Sequence, residues 1–181
     1  MKKLLKLLIV IVIISILAYQ FLLSDFNPMF KDESFISLTE SLKNAREENL
    51  NSIAEIDNKI YKKIEKRRCD CESAVLNIGP YRHGFSLTKK LQLLKVQREF
   101  TESDCLKFEL LNTVFLNKIK GIQETSKIYF NKTIEELNEE EKITFIVMLK
   151  NPSLYNPLRR KEKVENWVRI YSNILHEQNG K

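Results

Sequence analysis

A mainly α-helical domain behind a single N-terminal apolar helix is the fold class that this 181-residue sequence predicts. Three observations carry the prediction. Residues 7–23 (LLIVIVIISILAYQFLL) form an uncharged apolar run. Beyond it, apolar residues recur at three- and four-residue steps, the period of a helix with one buried face. Only four Gly and four Pro are present, and no alternating pattern is long enough for a strand, which argues against a turn-rich β-sandwich. With 43% hydrophobic and 30% charged residues the chain can bury a core, so wholesale disorder is excluded. The length suits one compact domain.

The apolar run comes first. With Leu4 and Leu5 it approaches the ~20 residues a helix needs to cross a bilayer. Tyr19 and Gln20 near its end suit an interface, and Lys2, Lys3 and Lys6 precede it. The positive-inside rule then places the N-terminus in the cytoplasm and the main domain outside, as a single-pass protein of the cytoplasmic membrane. A cleaved signal peptide is the alternative. Ala18 has the size for a cleavage site, but Ile16 fits it poorly and apolar residues continue through Leu23, so an uncleaved anchor is expected. This divides the chain into an anchor (1–23), a juxtamembrane segment (24–36), a helical domain (37–176) and a tail (177–181). Half of the net charge of +6 belongs to the three N-terminal lysines. The remainder is only mildly basic and lacks basic–aromatic interleaving, so no nucleic-acid partner is expected.

In the juxtamembrane segment, Asn27-Pro28 marks a turn. Ser37–Lys66 reads as one long helical run, with Leu38, Leu42, Ala45, Leu50, Ile53, Ile56, Ile60 and Ile64 on its apolar stripe. Asn77–Gly84 (NIGPYRHG) is a loop, and Ser86–Gln97 a second helical run. A helix over Glu102–Ile119 presents Leu106, Leu110, Leu111, Val114 and Phe115. Gly121 interrupts it, and Ile122–Phe130 follows as a short helix. Asn138 with Glu141 forms an Asn variant of the capping box opening a helix Glu139–Leu149. Asn151–Pro157 is a Pro-bounded loop. Val164–Leu175 closes the domain, with Val164, Trp167, Val168, Tyr171 and Leu175 on or near one face.

The three cysteines allow two readings. Cys69 and Cys71 are too close to pair easily with each other, but one of them can bridge to Cys105 and leave an odd thiol. A metal site would need a fourth ligand, and His83 and His176 show no ligand spacing, so small buried or half-exposed thiols are the expected state.

The C-terminal half carries a family resemblance. Its motifs are Phe115-Leu116-Asn117, Gly121-Ile122, Glu124-Thr125-Ser126 and Tyr129-Phe130-Asn131-Lys132, then Leu137-Asn138-Glu139-Glu140-Glu141 and Pro152-Ser153-Leu154-Tyr155-Asn156-Pro157. In this order and spacing they resemble the family-51 glycosyltransferases, the peptidoglycan transglycosylase domain of class A penicillin-binding proteins and monofunctional transglycosylases. The resemblance implies a lysozyme-like helical fold and polymerisation of lipid-linked disaccharide-pentapeptide into glycan strands. It implies as partners the membrane, that precursor or a glycan strand, and other cell-wall synthesis proteins. No organic cofactor is implied, though a divalent cation is compatible with the family. The chemistry needs a general base on the acceptor hydroxyl and cationic or hydrogen-bonding groups at the leaving pyrophosphate.

The catalytic half departs from the family. Ile53–Lys63 aligns best with its Glu-Asp-x-x-Phe-x-x-His motif, which puts Ile56 where the general base should stand, Asp57 on the Asp, Ile60 on the Phe and Lys63 on the His. Glu55 is one position away, about 100° around a helix. The family's Gly-Gly-Ser-Thr-Ile-Thr-Gln-Gln-Leu motif corresponds to residues 83–91, which nominates Gly84, Ser86, Thr88, Lys89 and Lys90 for substrate binding, with two Lys where the family has Gln. Glu102, in Arg98-Glu99-Phe100-Thr101-Glu102, imitates the second acidic motif, although it lies closer to Phe115 than the family's spacing. Trp167 and Val168 take the places of arginines in the closing helix. The segment before Phe115 is also shorter than in active members. The catalytic candidates are thus Glu55, Asp57 and Glu102, with no metal ligands.

Three readings follow. The favoured one is a membrane-anchored transglycosylase-like protein, catalytically impaired because isoleucine cannot take a proton. The second is an active divergent enzyme that recruits Glu55 or Glu102. The third is a membrane-anchored helical interaction protein without glycan chemistry, docking a partner on Ser37–Lys66.

Overall fold

The computed structural model describes residues 2–64, 69–76, 87–116 and 119–177. In chain order the elements are α1 (Lys2–Leu22), a 3-10 turn (Pro28–Phe30), α2 (Glu33–Glu47), α3 (Asn51–Lys62), α4 (Asp70–Leu76), α5 (Leu87–Glu99) and α6 (Glu102–Asn112). A short hairpin of β1 (Val114–Leu116) and β2 (Ile119–Lys120) leads into α7 (Ile122–Phe130), α8 (Glu139–Lys150) and α9 (Lys161–His176). The described residues are therefore mainly helical.

Helix α1 is exposed along its whole apolar length, and Lys3–Leu22 is long and apolar enough to cross a membrane. Within the apolar run the Ser15 hydroxyl donates back to the Ile11 carbonyl at 2.9 Å, which satisfies the group without water. Just past the helix the chain turns sharply. The Asn27 side chain donates to the Leu22 carbonyl at 2.7 Å and accepts from the Met29 amide, capping the Pro28–Phe30 turn. Asp32 then caps α2 by accepting from the Ser34 and Phe35 amides.

Two hydrophobic cores flank α6. One gathers Leu23, Phe30, the buried face of α2 (Phe35, Leu38, Leu42), Ala74 and Val75 of α4, Val96 of α5, and Cys105 and Phe108 of α6. The other joins Ile53 and Ile60 of α3 with Leu106 and Leu110 of α6, the hairpin's Phe115, and residues of α7, α8 and α9. Seven consecutive residues of α6, Asp104–Leu110, are buried, so this helix has no solvent face across its middle. Helix α8 repeats the pattern with Ile143–Leu149.

The long helix expected over Ser37–Lys66 is instead two, α2 and α3, broken at Glu48–Leu50. The physical cause is Lys107 of α6. Its ammonium donates to the carbonyls of Arg46 and Glu48 at 2.9 Å each, drawing the last turn of α2 away from helical bonding, while Leu50 is drawn into the core. The helix expected to run from Glu102 to Ile119 ends at Asn112. There the Asn112 side chain donates to the Phe108 carbonyl at 2.8 Å and the Thr113 amide to the Glu109 carbonyl, so the helix end is satisfied. The β-branched and aromatic residues that follow enter the hairpin, with Val114 opposite Lys120. The Asn138–Glu141 capping box is formed as expected.

Gly121 joins the hairpin to α7 with φ +87°, and a Cβ there would lie 2.9 Å from the Leu111 carbonyl oxygen. Small hydroxyls finish the corner: Thr125 donates to the Gly121 carbonyl at 2.6 Å and Ser126 to the Lys132 carbonyl at 2.8 Å. The expectation of thiols holds for Cys69 alone: packing of α4 against α6 brings Cys71 and Cys105 together, with Cα atoms 5.0 Å apart, and they form a disulfide. Two expected outcomes check this architecture by urea unfolding of the detergent-solubilised chain. Gly121→Ala, which meets both a forbidden φ and backbone, should lose about 2–3 kcal/mol. Cys71→Ser with Cys105→Ser, which frees a loop of 34 residues, should lose about 3–4 kcal/mol.

Candidate functional site

A cavity of about 210 Å³ lies between α3 and the start of α6, lined by Asp57, Asn58, Thr101, Glu102, Ser103 and Leu106. It brings together two of the three carboxylates that the sequence nominates. Asp57 points inward from α3 and is 3% exposed. Ile56, on the adjacent face, packs half-buried against the larger core. Glu55 is exposed to solvent on the side of α3 away from the core. The helical period explains the split: Ile53, Asp57 and Ile60 share the buried face, and Glu55 is about 200° from Asp57.

Glu102 is occupied with structure. Its Oε2 accepts from the Asp70 amide at 2.8 Å and the Cys71 amide at 3.4 Å, and Cys69 Sγ donates to Oε1 at 3.4 Å. The carboxylate therefore caps the N-terminus of α4, where amide groups lack helical partners and the helix dipole favours negative charge. Burial, reinforced by the Glu102 carboxylate, pushes the Cys69 thiol above its ordinary value, which keeps it protonated at neutral pH. Two residues along α6, Asp104 forms a capping box with Thr101 and pairs with Arg46 at 3.3 Å. Burial pushes its carboxyl up, but the Thr101 amide and hydroxyl and the Arg46 guanidinium outweigh this and hold it below the ordinary carboxylate range.

The nominated substrate-binding residues lie elsewhere. Thr88, Lys89 and Lys90 occupy the first turn of α5, with Thr88 and Lys90 exposed and Lys89 half-buried. The cavity begins just beyond the other end of this helix, about 15–20 Å away at 1.5 Å per residue. Gly84, Ser86, His83 and Asn117 lie outside the described residues, as does the Asn77–Gly84 loop. His176 pairs with Glu139 at 2.6 Å, tying the end of α9 to the start of α8. No group of three or more His, Cys, Asp or Glu side chains that could hold a metal ion occurs among the described residues. Of the two carboxylates lining the cavity, Glu102 has both oxygens engaged. These residues do not assemble a divalent-cation site.

A larger depression of about 420 Å³ opens between α7, α8 and α9, lined among others by Tyr129, Glu140, Thr144, Leu158 and Val168. It contains none of the nominated residues. The Tyr129 hydroxyl is buried without a hydrogen-bond partner, and burial pushes its pKa well up, so it remains a neutral phenol. The Asn151–Pro157 loop beside it is held at both ends by asparagine side chains: the Leu154 amide donates to Asn151 Oδ1, and the Leu158 amide donates to Asn156 Oδ1 in an Asx turn, each at 2.9 Å.

Three arrangements escaped sequence reasoning. Lys63 donates to the carbonyls of Ile174, Leu175 and Glu177, capping the C-terminus of α9. Tyr155, Trp167, Tyr171 and Tyr61 form a column of edge-on ring contacts, with the Lys150 ammonium 4.1 Å from the Trp167 centroid. Lys95, 8% exposed at its side chain, bridges Asp25 beyond α1 and Glu99 on its own helix, each at 2.7 Å. Burial disfavours its charge, yet the two carboxylates raise its pKa above the ordinary lysine value. Each contact joins distant segments, and the only sequence signal was a basic or aromatic residue on a face otherwise apolar.

Residues 87–176 match the family model described as Transglycosylase. A stretch of 73 residues, 40% of this chain, is 33% identical to penicillin-binding protein 2a of Streptococcus pneumoniae, of which it covers 10%. Over 82 residues, 43% of this chain, it is 30% identical to penicillin-binding protein 1A of Pseudomonas aeruginosa, again covering 10% of that protein. The chain thus matches about a tenth of the length of these curated relatives. The family match takes in α5–α9; the cavity's α3 wall, with Asp57 and Ile56, lies outside it.

Glu102→Ala should destabilise the domain by about 1–2 kcal/mol by uncapping α4, and Glu102→Gln by less, because one acceptor remains. Asp104 supplies the pH dependence. A depressed folded pKa contributes stability above the unfolded carboxyl value near 4 that is lost as pH falls through the folded value. Urea midpoints should therefore drop below about pH 4, and Asp104→Asn should flatten that drop.

Proposed function

We propose that the chain, whose residues 87–176 belong to the transglycosylase family, is a membrane-anchored, lysozyme-like protein of peptidoglycan synthesis. It binds the lipid-linked disaccharide precursor or a glycan strand without polymerising it. The observation that carries this reading is the chemistry of α3. Ile56, aligned with the family's general base, is a hydrocarbon side chain packed on the core, and Glu102, the alternative acid, is committed to capping α4. Glu55 is exposed and on the far side of α3 from Asp57, so a sugar hydroxyl held in the cavity is out of its reach. Asp57, which also lines the cavity, stands about 15–20 Å from the first turn of α5, too far to take a proton from a hydroxyl attacking a sugar whose pyrophosphate is held there.

The exposed apolar α1 supports anchoring, with the lysine cluster before it on the cytoplasmic side. The Cys71–Cys105 disulfide supports placement of the helical domain outside the cytoplasm, where disulfides persist. Thr88, Lys89 and Lys90, in the first turn of α5, are the proposed contacts for the pyrophosphate, through side chains and helix-end amides. Gly84 and Ser86 complete that set in the sequence.

The test uses purified full-length protein with radiolabelled lipid-linked precursor. The expected outcome is co-sedimentation of precursor with protein-loaded vesicles and no glycan polymer. Lys89→Ala with Lys90→Ala should weaken that capture about tenfold, the effect of losing a charge-assisted contact or two. Polymer from the unmodified protein would overturn the impaired reading, and its loss in Glu55→Gln or in Glu102→Gln would then assign the base.

A further inference from the structure

We propose that the Cys71–Cys105 disulfide is a redox lock on Glu102. Closed, it keeps this carboxylate on the start of α4; its reduction by a dithiol frees α4 and leaves Glu102 to the cavity beside it. The inference goes beyond the glycan reading and does not require it.

The lock is a ring of contacts around one carboxylate. Glu102 Oε2 accepts from the Asp70 and Cys71 amides at 2.8 and 3.4 Å, and Oε1 accepts from Cys69 Sγ at 3.4 Å. All three donors belong to α4 or to the residue before it. Cys69 Sγ in turn accepts from the Glu72 amide at 3.3 Å, so thiol and carboxylate share the orphan amides of one helix end. Three residues along α6, on the same face, Cys105 carries the bridge to Cys71. The covalent link and the cap therefore join the same two helix starts. Glu102 also lines the cavity that Asp57 and Asn58 line from α3. The carboxylate stands between two environments, and the position of α4 decides which of them it serves.

Little besides the bridge fixes that position. Helix α4 has seven residues, too few to persist on its own backbone bonds. The apolar side chains it buries, apart from Cys71, are the small Ala74 and Val75, whereas α2 gives the same core Phe35, Leu38 and Leu42. The larger core, which joins α3 to α6–α9, takes no residue from α4. Loss of the tether therefore opens α4 locally while the rest of the domain holds. The chemistry is thiol–disulfide exchange. One thiolate of the dithiol attacks a bridge sulfur and expels the other cysteine; its second thiol then displaces the first, so the dithiol leaves as a disulfide, and Cys71 and Cys105 end as thiols with two electrons and two protons gained. Cys71 is 1% and Cys105 0% exposed, so attack waits for the start of α4 to open.

The experiment compares the full-length chain in detergent micelles before and after reduction by dithiothreitol, which is then removed under argon at about pH 6, where thiols stay protonated. Hydrogen exchange reads each helix, and carbodiimide-driven coupling of an amine reads each accessible carboxylate. On reduction the α4 amides should exchange at least about tenfold faster, with α8 and α9 changed less than about twofold. Coupling at Glu102 should rise at least about fivefold, with the exposed Glu55 unchanged as the reference. Cys71→Ser with Cys105→Ser should give the same pattern without reductant; should that variant fail to fold, the reduced unmodified chain still decides. A bridge that resists dithiothreitol in the folded chain overturns the switch. Faster exchange throughout, α8 and α9 included, overturns local release and makes the bridge a tie for the whole domain. Faster exchange in α4 with no gain at Glu102 overturns the link to the carboxylate, and no change in either overturns the lock. None of these readouts involves lipid-linked precursor, so capture of that precursor stands or falls separately.

Discussion

Burial of α6 on every side is the constraint from which the rest of the domain follows. A helix with cores on both flanks cannot hide its polar residues on a solvent face, so each must find a partner in a neighbouring element. Asp104 takes Thr101 and Arg46. Lys107 takes the last carbonyls of α2. Glu102, at the entrance, takes the first amides of α4. Cys105 carries the covalent link to α4. The charges that make α6 look like a surface helix in sequence are the joints by which two other helices, α2 and α4, are positioned.

The same joints shape the candidate site. The cavity exists because the start of α6 stands against α3, and α6 stands there because Arg46, Lys107 and the disulfide hold α2 and α4 to it. The acid at position 102 is spent on a helix end, and position 56 is given to the core. Asp57 faces the cavity from α3 as a buried carboxylate. The stretch that matches the transglycosylase family model takes in α5–α9, and the α3 wall of the cavity lies before it.

Much of the frame was legible residue by residue. Ile122–Phe130 and the Asn138–Glu141 cap read correctly because both are local: a glycine stop and a side chain reaching three residues along its own backbone. The break between α2 and α3 was not legible, since its cause, Lys107, lies some 60 residues away and acts on carbonyls that carry no sequence signature. The early end of α6 was missed for a related reason. Leu110, Leu111, Val114 and Phe115 keep a helical spacing, but the chain bends at Thr113 so that Phe115 meets Phe145 edge-on at 5.5 Å.

By itself the sequence determined the apolar span, the helical class and the family likeness of the C-terminal half. These are properties of composition, period and order along the chain. Tertiary structure alone decided that Cys71 rather than Cys69 makes the bridge, that Glu102 is a cap, that Asp57 faces the cavity while Glu55 faces water, and that the exit of α1 is seated on α5. The reason is common to all four: a carboxylate, thiol or lysine has the same sequence signature whether it caps, bridges or titrates, and only the groups brought within about 3 Å of it select among those roles.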